Sequence, residues 1–531
     1  MYCPRIRIKH VGLALVSVLY LSSVANQLGD WDGDAAHYVL LGESLARGRG
    51  YTEPVYPRHY THTKYPFLYP ALLAPVIRLA GLSMLAVRIE TAILAILSIA
   101  AWHGFFSRRL EPFQALALTA LFASNPYSFS FVTRTLSETP YLLFSGVCFF
   151  ALARWRDEGK QRHLALLTSA AILCYFTRTA GLSLFVGLLA ATLLSRSLRS
   201  RKAFGVPAWL FMAIALSLAF GAWTAFVIVH RNPIYDYFHE LASGQEGLID
   251  LAGLESRVAL NAGYYFLQAP AELFSVNGTD GMGFKFAAAM AWAVLALGAF
   301  RAGQKGELAE VLSAGASAAM VLLWPAYLDF RFFYPLLPLF FLFGYRGLEA
   351  VAAAWPRGGK ALAALLWAAL ILAYGIRTGQ IVKAQHTPNP FPPSPRTMLG
   401  YYIEKPVIDW SETYYAYHTP KNIFVLGEFI FMHRLVAETI PPGPVLASEE
   451  PRDTAFLLGR PAVTLPSNSD PAAALDYLAS WDVKYIILDR YSSNTGQFTL
   501  PLIRSHPQYF TQVIGDPGWL APAVYRVDLP N

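Results

Sequence analysis

The sequence predicts a polytopic α-helical membrane protein with about eleven transmembrane helices and a small extracytoplasmic α/β domain at its C-terminus. Three observations predict that class. Hydrophobic residues make up 55% of the 531-residue chain and charged residues 15%, well below the roughly 25% of a soluble protein. Mean hydropathy is +0.37, so most of the length belongs in lipid. The 42 Lys and Arg gather in short clusters between apolar runs, as cytoplasmic loops do. The net charge of +7 therefore does not indicate nucleic acid, because too little soluble surface remains for a basic groove.

A span needs about 20 mostly apolar residues. The candidate runs are 11–28, 84–106, 113–131, 139–153, 164–177, 179–195, 207–229, 283–300, 308–324, 332–350 and 361–377. The first follows Arg5, Arg7 and Lys9 and reads as a retained helix, since no convincing small-residue cleavage site follows it. The stretch 164–195 carries Arg178 in its middle. A single helix there would be about 48 Å long at 1.5 Å per residue and would bury the arginine in hydrocarbon. Two short passes broken at Arg178–Gly181 put it at a surface. The clusters on either side, Arg154, Arg156, Lys160 and Arg162 before it and Arg196, Arg199, Arg201 and Lys202 after it, both belong inside. An even number of crossings must separate them.

The same rule orients the chain. Segments 1–10, 107–112, 154–163, 195–203, 301–307 and 346–360 hold 18 Lys/Arg in 57 residues, whereas 28–90, 132–138, 177–180, 230–282 and 325–334 hold 11 in 137. The first set is expected inside and the second outside, so an odd number of crossings puts the N-terminus in the cytoplasm and the tail outside. The expected organisation is a transmembrane domain over 1–380, whose first outer loop, 29–83, holds two interfacial helices. A Pro-rich linker and interfacial segment follows over 381–440, opening with Thr387–Pro395. An α/β domain occupies 441–531, with a strand at Val445–Ala447, a helix at Ala472–Ser480 and a β-branched run at Val483–Leu488. Cys3, Cys148 and Cys174 form neither a disulfide framework nor a metal-ligand spacing. No internal repeat is present. The Ala/Leu/Arg-rich composition leans bacterial, which places the chain in an inner membrane.

The outer face carries the chemistry-bearing residues. The first loop opens with Asp30, Asp32 and Asp34, three carboxylates within five residues. Like charges this close resist joint ionisation and suit a proton acceptor or a cation site; a helix N-cap is the plainer reading. The next residues, Ala35–Ala46, place Tyr38, Leu41 and Leu45 on the face of Asp34, as in an amphipathic helix lying on the membrane. Lys64 precedes a Pro-containing apolar segment, Pro66–Leu82, at headgroup depth, where it would snorkel or contact a phosphate. His59 and His62 read as exposed loop histidines. Arg134, Glu138, Arg178, Arg257 and Arg331 sit at outer helix ends. Each alone reads as an interfacial anchor or ion pair, but together they converge on one face. Asn277–Thr279 is a single sequon on the outer side.

The order of these features resembles a known family. The pattern runs from the Asp-bearing loop with Tyr38 to Leu45-Ala-Arg-Gly48 and Gly50-Tyr51. It continues through Tyr65-Pro-Phe-Leu-Tyr-Pro70, Arg134 to Pro140 and Thr177–Leu182 to Arg331-Phe-Phe-Tyr-Pro335. It is similar to GT-C glycosyltransferases of the dolichyl-phosphate-mannose protein mannosyltransferase and aminoarabinose transferase type, over roughly residues 11–380. The resemblance implies inverting transfer of a sugar from an undecaprenyl-phosphate-type polyprenyl carrier to an extracytoplasmic acceptor, which is a protein, lipid or glycan. Asp34 matches the family's catalytic aspartate. Relatives usually carry Glu next to it, where this chain has Ala35, which leaves Asp32 as the second carboxylate. Lys64 and Arg331 match carrier-phosphate contacts, and Arg178, Glu138, Tyr38 and Tyr65 match recurring positions at the substrate site.

The chemistry agrees with this. A hydroxyl acceptor needs a base, and a carboxylate of pKa about 4 is ionised at neutral pH. The leaving group is an already anionic phosphate ester, so it needs fixed cations rather than an acid. No nucleophile-and-acid pair for a retaining route is evident. No cofactor is required, although Asp30, Asp32 and Asp34 could together hold a divalent cation. A transporter or lipid flippase is the alternative; the missing repeat and the placement of charges at helix ends count against it.

Overall fold

A helix lies in each of the eleven apolar runs, because a backbone in hydrocarbon must satisfy its own N–H and C=O groups. The computed structural model describes residues 4–24, 33–232, 243–244, 247–248, 251–270, 282–324, 330–355, 358–385, 429, 432–488, 495–515 and 522–529. Asp30, Asp32, the Pro-rich stretch and the sequon lie outside the described residues. Packing divides the chain into two units. The first is Met1–Asn26, His62–Leu72 and Ser83–His386; the second is Gln27–Thr61, Leu73–Leu82 and Thr387–Asn531.

The long helices of the first unit are α1 (Pro4–Ser23); in the second unit follows α2 (Gly33–Ala46), and α3 (Leu68–Ala80) contributes residues to each. The bundle then continues with α4 (Met84–Arg109), α5 (Pro112–Ser124), α6 (Glu138–Glu158), α7 (Gln161–Thr177), α8 (Gly181–Leu194) and α9 (Ala208–Val229). It is completed by α10 (Met282–Gln304), α11 (Leu308–Leu323), α12 (Leu337–Ala354) and α13 (Gly359–Gln385). By length and composition, five segments among the described residues can cross a membrane: Met84–Arg109, Ala208–Val229, Met282–Gln304, Phe330–Ala354 and Ala361–Lys383.

Two details follow from local chemistry. The run 113–131 is not one helix: α5 stops at Ser124, and Asn125 caps a short helix, Pro126–Ser130, accepting from the N–H groups of Tyr127 and Ser128. Proline fits that first position and cannot continue the preceding helix. The break at Arg178 is present, with α7 ending at Thr177 and α8 starting at Gly181. The turn is tight enough that a Cβ at Gly181 would lie 2.5 Å from the Tyr175 nitrogen.

Two arginines of the expected inner segments, Arg156 and Arg346, are held in ion pairs. Arg156 makes a two-pronged contact with Glu310 at 2.7 and 3.0 Å. Arg346 donates to Glu307 at 2.7 Å and to the Arg109 carbonyl at 3.1 Å. Glu310 is fully buried. These bonds tie α4, α6, α11 and α12 together, and a guanidinium fork suits a carboxylate that cannot reach water.

The second unit is built on a five-stranded sheet. Its strands are β1 (Val445–Ser448), β2 (Ala462–Thr464), β3 (Val483–Leu488), β4 (Phe510–Ile514) and β5 (Ala523–Val527), in the order β2-β1-β3-β5-β4. The β1 strand runs parallel to β2 and β3, with α14 (Pro451–Leu458) and α15 (Pro471–Ser480) as the crossover helices, whereas β5 is antiparallel to β3 and β4. Met432, Val436, Ile440, Leu446, Ala462, Ile487 and Val524 form its core. The segment that follows α2 is fastened to this sheet. The Ala462 N–H donates to the Val55 carbonyl at 2.8 Å. Arg58 lies 4.7 Å over the Trp481 ring and donates to the Ser480 carbonyl at 3.2 Å.

A buried relay holds the start of α14. His433 Nδ1 donates to the Phe429 carbonyl at 2.7 Å, so Nε2 is left as acceptor for the Thr454 hydroxyl at 2.8 Å. Thr454 in turn meets Ser448 at 2.5 Å. Burial pushes the His433 imidazole down to about 4 from the usual 6.5 or so. The unfolded chain therefore takes up a proton as pH falls through about 6.5, while the folded unit resists until about 4. The stability from keeping His433 neutral is complete above about 6.5, and about 3 kcal/mol is lost by about pH 4. Hydrogen–deuterium exchange of β1 and β3 should rise between pH 7 and 4.5 in the full chain and should flatten in His433→Phe. Equal protection at both pH values in the wild type would show that this histidine is not the sensor.

Candidate active site

Asp34 occupies the first turn of α2, where the helix dipole favours a carboxylate. Its Oδ1 accepts from Arg452 Nη1 at 2.6 Å, and the two side chains are about a quarter exposed, at 21% and 25%. Arg452 Nη2 contacts Glu450 at 3.2 Å. The sequence expectation for α2 needs correction. It is not an amphipathic surface helix, since Gly33 and every residue from Ala35 to Ser44 are buried. Tyr38 faces the interior of the protein rather than lipid, at 5% exposure. Protein packs around all sides of this helix, so its two faces need not differ in polarity.

A second polar contact on α2 was not evident in the sequence. His37 Nε2 meets both Glu53 oxygens at 2.9 and 3.0 Å, and both residues are fully buried. The pair fixes the loop to the helix, with Glu53 also accepting from the Val55 N–H at 3.2 Å. His37 sits beside Tyr38 in the Asp-bearing motif, so its position was visible, but Glu53 belongs to no motif.

The remaining expected residues lie in the first unit. Lys64 is half-buried in the bend before α3. Tyr65 is buried, and its N–H donates to His62 Nε2 at 2.9 Å. His62 is fully buried, contrary to the expectation of an exposed loop histidine, because it closes this bend and packs on the Tyr65 ring at 5.1 Å. His59, which belongs to the second unit, is exposed as expected. Glu138, in the first turn of α6, pairs with Arg178 at the end of α7. Each charge complements its own helix dipole.

Arg331 sits in a single 3₁₀ turn, Phe330–Phe332, with its guanidinium 5.3 Å from the Phe332 ring. Aromatic contacts hold that turn: Phe330 against Tyr127 at 4.6 Å, Phe333 against Tyr265 at 4.4 Å and Tyr334 stacked on Phe131 at 4.4 Å. Arg134 lies 5.1 Å over the same Phe131 ring, so the Arg134 loop and the Arg331 turn share one aromatic anchor. Of the three aspartates that could hold a cation, Asp34 is the one described, and a guanidinium already occupies its Oδ1.

The chain has the fold of GT-C glycosyltransferases of known structure. Among solved structures it is similar to ArnT from Cupriavidus metallidurans bound to undecaprenyl phosphate, over 97% of each chain, with a TM-score of 0.59 at 12% identity. It is also similar to the oligosaccharyltransferase AglB from Archaeoglobus fulgidus in complex with an inhibitory peptide and a dolichol-phosphate. That match covers 98% of this chain and 74% of the other, with a TM-score of 0.51 at 14% identity. No protein-family profile matches the sequence, and no curated protein does.

Proposed function

We propose that this protein is a membrane glycosyltransferase that moves a sugar, with inversion, from a polyprenyl-phosphate carrier to a hydroxyl on an extracytoplasmic acceptor. The observation that carries the reading is Asp34, an aspartate held by an ion pair in the first turn of α2, in a fold whose solved examples include complexes with polyprenyl phosphates. The acceptor oxygen attacks the anomeric carbon. The bond to the carrier phosphate breaks with its electron pair on the phosphate, and the hydroxyl proton passes to Asp34. Lys64 and Arg331 stabilise the charge that develops on the leaving group, Asp32 serves as the second carboxylate, and Arg178, Glu138, Tyr38 and Tyr65 shape the substrate site. On this reading the protein sits in a bacterial inner membrane, in keeping with its Ala/Leu/Arg-rich composition, and the charge rule supports an inside N-terminus and an outside α/β domain.

Mass spectrometry of glycans and glycolipids from cells with and without the gene tests this. One class of molecule should lack a single sugar when the gene is absent, and identical profiles would argue against transfer. Lys64→Ala and Arg331→Ala should each weaken undecaprenyl-phosphate binding by roughly 10- to 100-fold, the worth of one hydrogen bond to a charged group. Undiminished lipid retention in native mass spectrometry would move the phosphate site elsewhere.

A further inference from the structure

We infer that Arg452, on α14 of the C-terminal α/β fold, is the positioning residue of the candidate base; this rests on the assignment of Asp34 above. Three features of the second unit support it. First, the guanidinium is forked between two carboxylates, with Nη2 on Glu450 at 3.2 Å and Nη1 on Asp34 Oδ1 at 2.6 Å. Glu450 thus fixes the plane of the fork and aims its other prong, and the pair of charge-assisted bonds holds the Asp34 carboxylate in one orientation.

Second, the residue before the base leaves room for the fork. A Cβ at Gly33 would lie 2.6 to 2.8 Å from three guanidinium atoms of Arg452. Those atoms are the far end of a flexible chain, so a methyl group there displaces the arginine and leaves the backbone in place. Third, the helix that carries Arg452 is rigidly seated. Pro451 opens it, Asp453 is buried, and Thr454 is locked into the Ser448–His433 relay. A side chain on such an element can hold a reacting group to the tolerance that catalysis needs.

Arg452 therefore acts through Asp34 and touches neither the sugar nor the phosphate. The outer loop that bears the base is oriented by the α/β fold, which gives that fold a part in the reaction. The test uses cells lacking the gene, complemented with full-length variants and normalised to folded membrane protein by size-exclusion chromatography. The readout is the sugar-bearing product found by mass spectrometry. Arg452→Ala should lower product formation about 10- to 100-fold, as misplacement of a catalytic group does, and Arg452→Lys should recover part of that loss. Gly33→Ala should reproduce the defect while keeping the fold, and should add nothing in the Arg452→Ala background. Wild-type rates in Arg452→Ala or Gly33→Ala overturn the inference, as does a lysine no better than alanine or a further loss in the double variant. Asp34→Asn runs in parallel: if it is active, the assignment of the base fails, and if it is inactive while Arg452→Ala is normal, only the role of Arg452 fails.

Discussion

Asp34→Asn is expected to lower sugar transfer by at least about 100-fold, the low end of what a positioned general base contributes, while the protein still inserts and folds. The substitution is nearly isosteric. An amide oxygen can still accept the Arg452 hydrogen bond at the start of α2, so the local geometry has a way to persist. What is lost is the capacity to take a proton, since an amide stays neutral across the physiological range. The measurement is product formation at matched levels of folded protein, with Asp34→Glu as a second variant that keeps the charge but moves it outward. Activity in Asp34→Asn within a few-fold of wild type would remove Asp34 from the mechanism, leaving the fold as it stands.

Gly298→Val is expected to have the largest effect on folding. In α10 a Cβ at Gly298 would sit 1.7 Å from the carbonyl oxygen of Phe343 on α12, and a Cβ at Gly347 on α12 would sit 2.1 Å from the Val294 carbonyl. The two helices thus cross at mutual glycines, backbone against backbone, as small residues permit in helix pairs within lipid. The obstructing atoms are backbone, so no rotamer change relieves the clash and the helices must separate. Overpacking ordinarily costs about 1–3 kcal/mol, and a rigid contact of this kind belongs at or above the top of that range. Arg346 also leaves from α12 to bond Glu307, so separation would strain a buried ion pair as well. Thermal stability in detergent and the yield of monodisperse protein measure the effect. Wild-type melting of Gly298→Val would mean that this crossing is looser than its geometry indicates.

Much of the first unit could be read in advance. The helix break at Arg178 was legible because one charge in a long apolar run cannot rest in hydrocarbon, and Gly181 supplied the turn. In the second unit the strand expected at Val445–Ala447 and the helix expected at Ala472–Ser480, read from Pro and Gly punctuation, are found at Val445–Ser448 and Pro471–Ser480. Asp34 stood out by its place just after the first apolar run. The same reasoning misjudged α2, whose polar face turned out to be buried, and His62, which a bend draws into the interior. In each case tertiary packing covered residues that local pattern assigned to solvent or lipid.

By itself the sequence determined where helices form and where the chain breaks between them, and it singled out the carboxylate that follows the first apolar run. Those outcomes depend on hydropathy, charge and turn chemistry, which act over a few residues. Only the tertiary structure decided that Asp34 meets Arg452 across 418 residues of chain, that Glu53 pairs with His37, and that Arg156 and Arg346 pair with Glu310 and Glu307. An ion pair forms when packing brings two charges together with few other partners, and no local property of either residue encodes where the other will be.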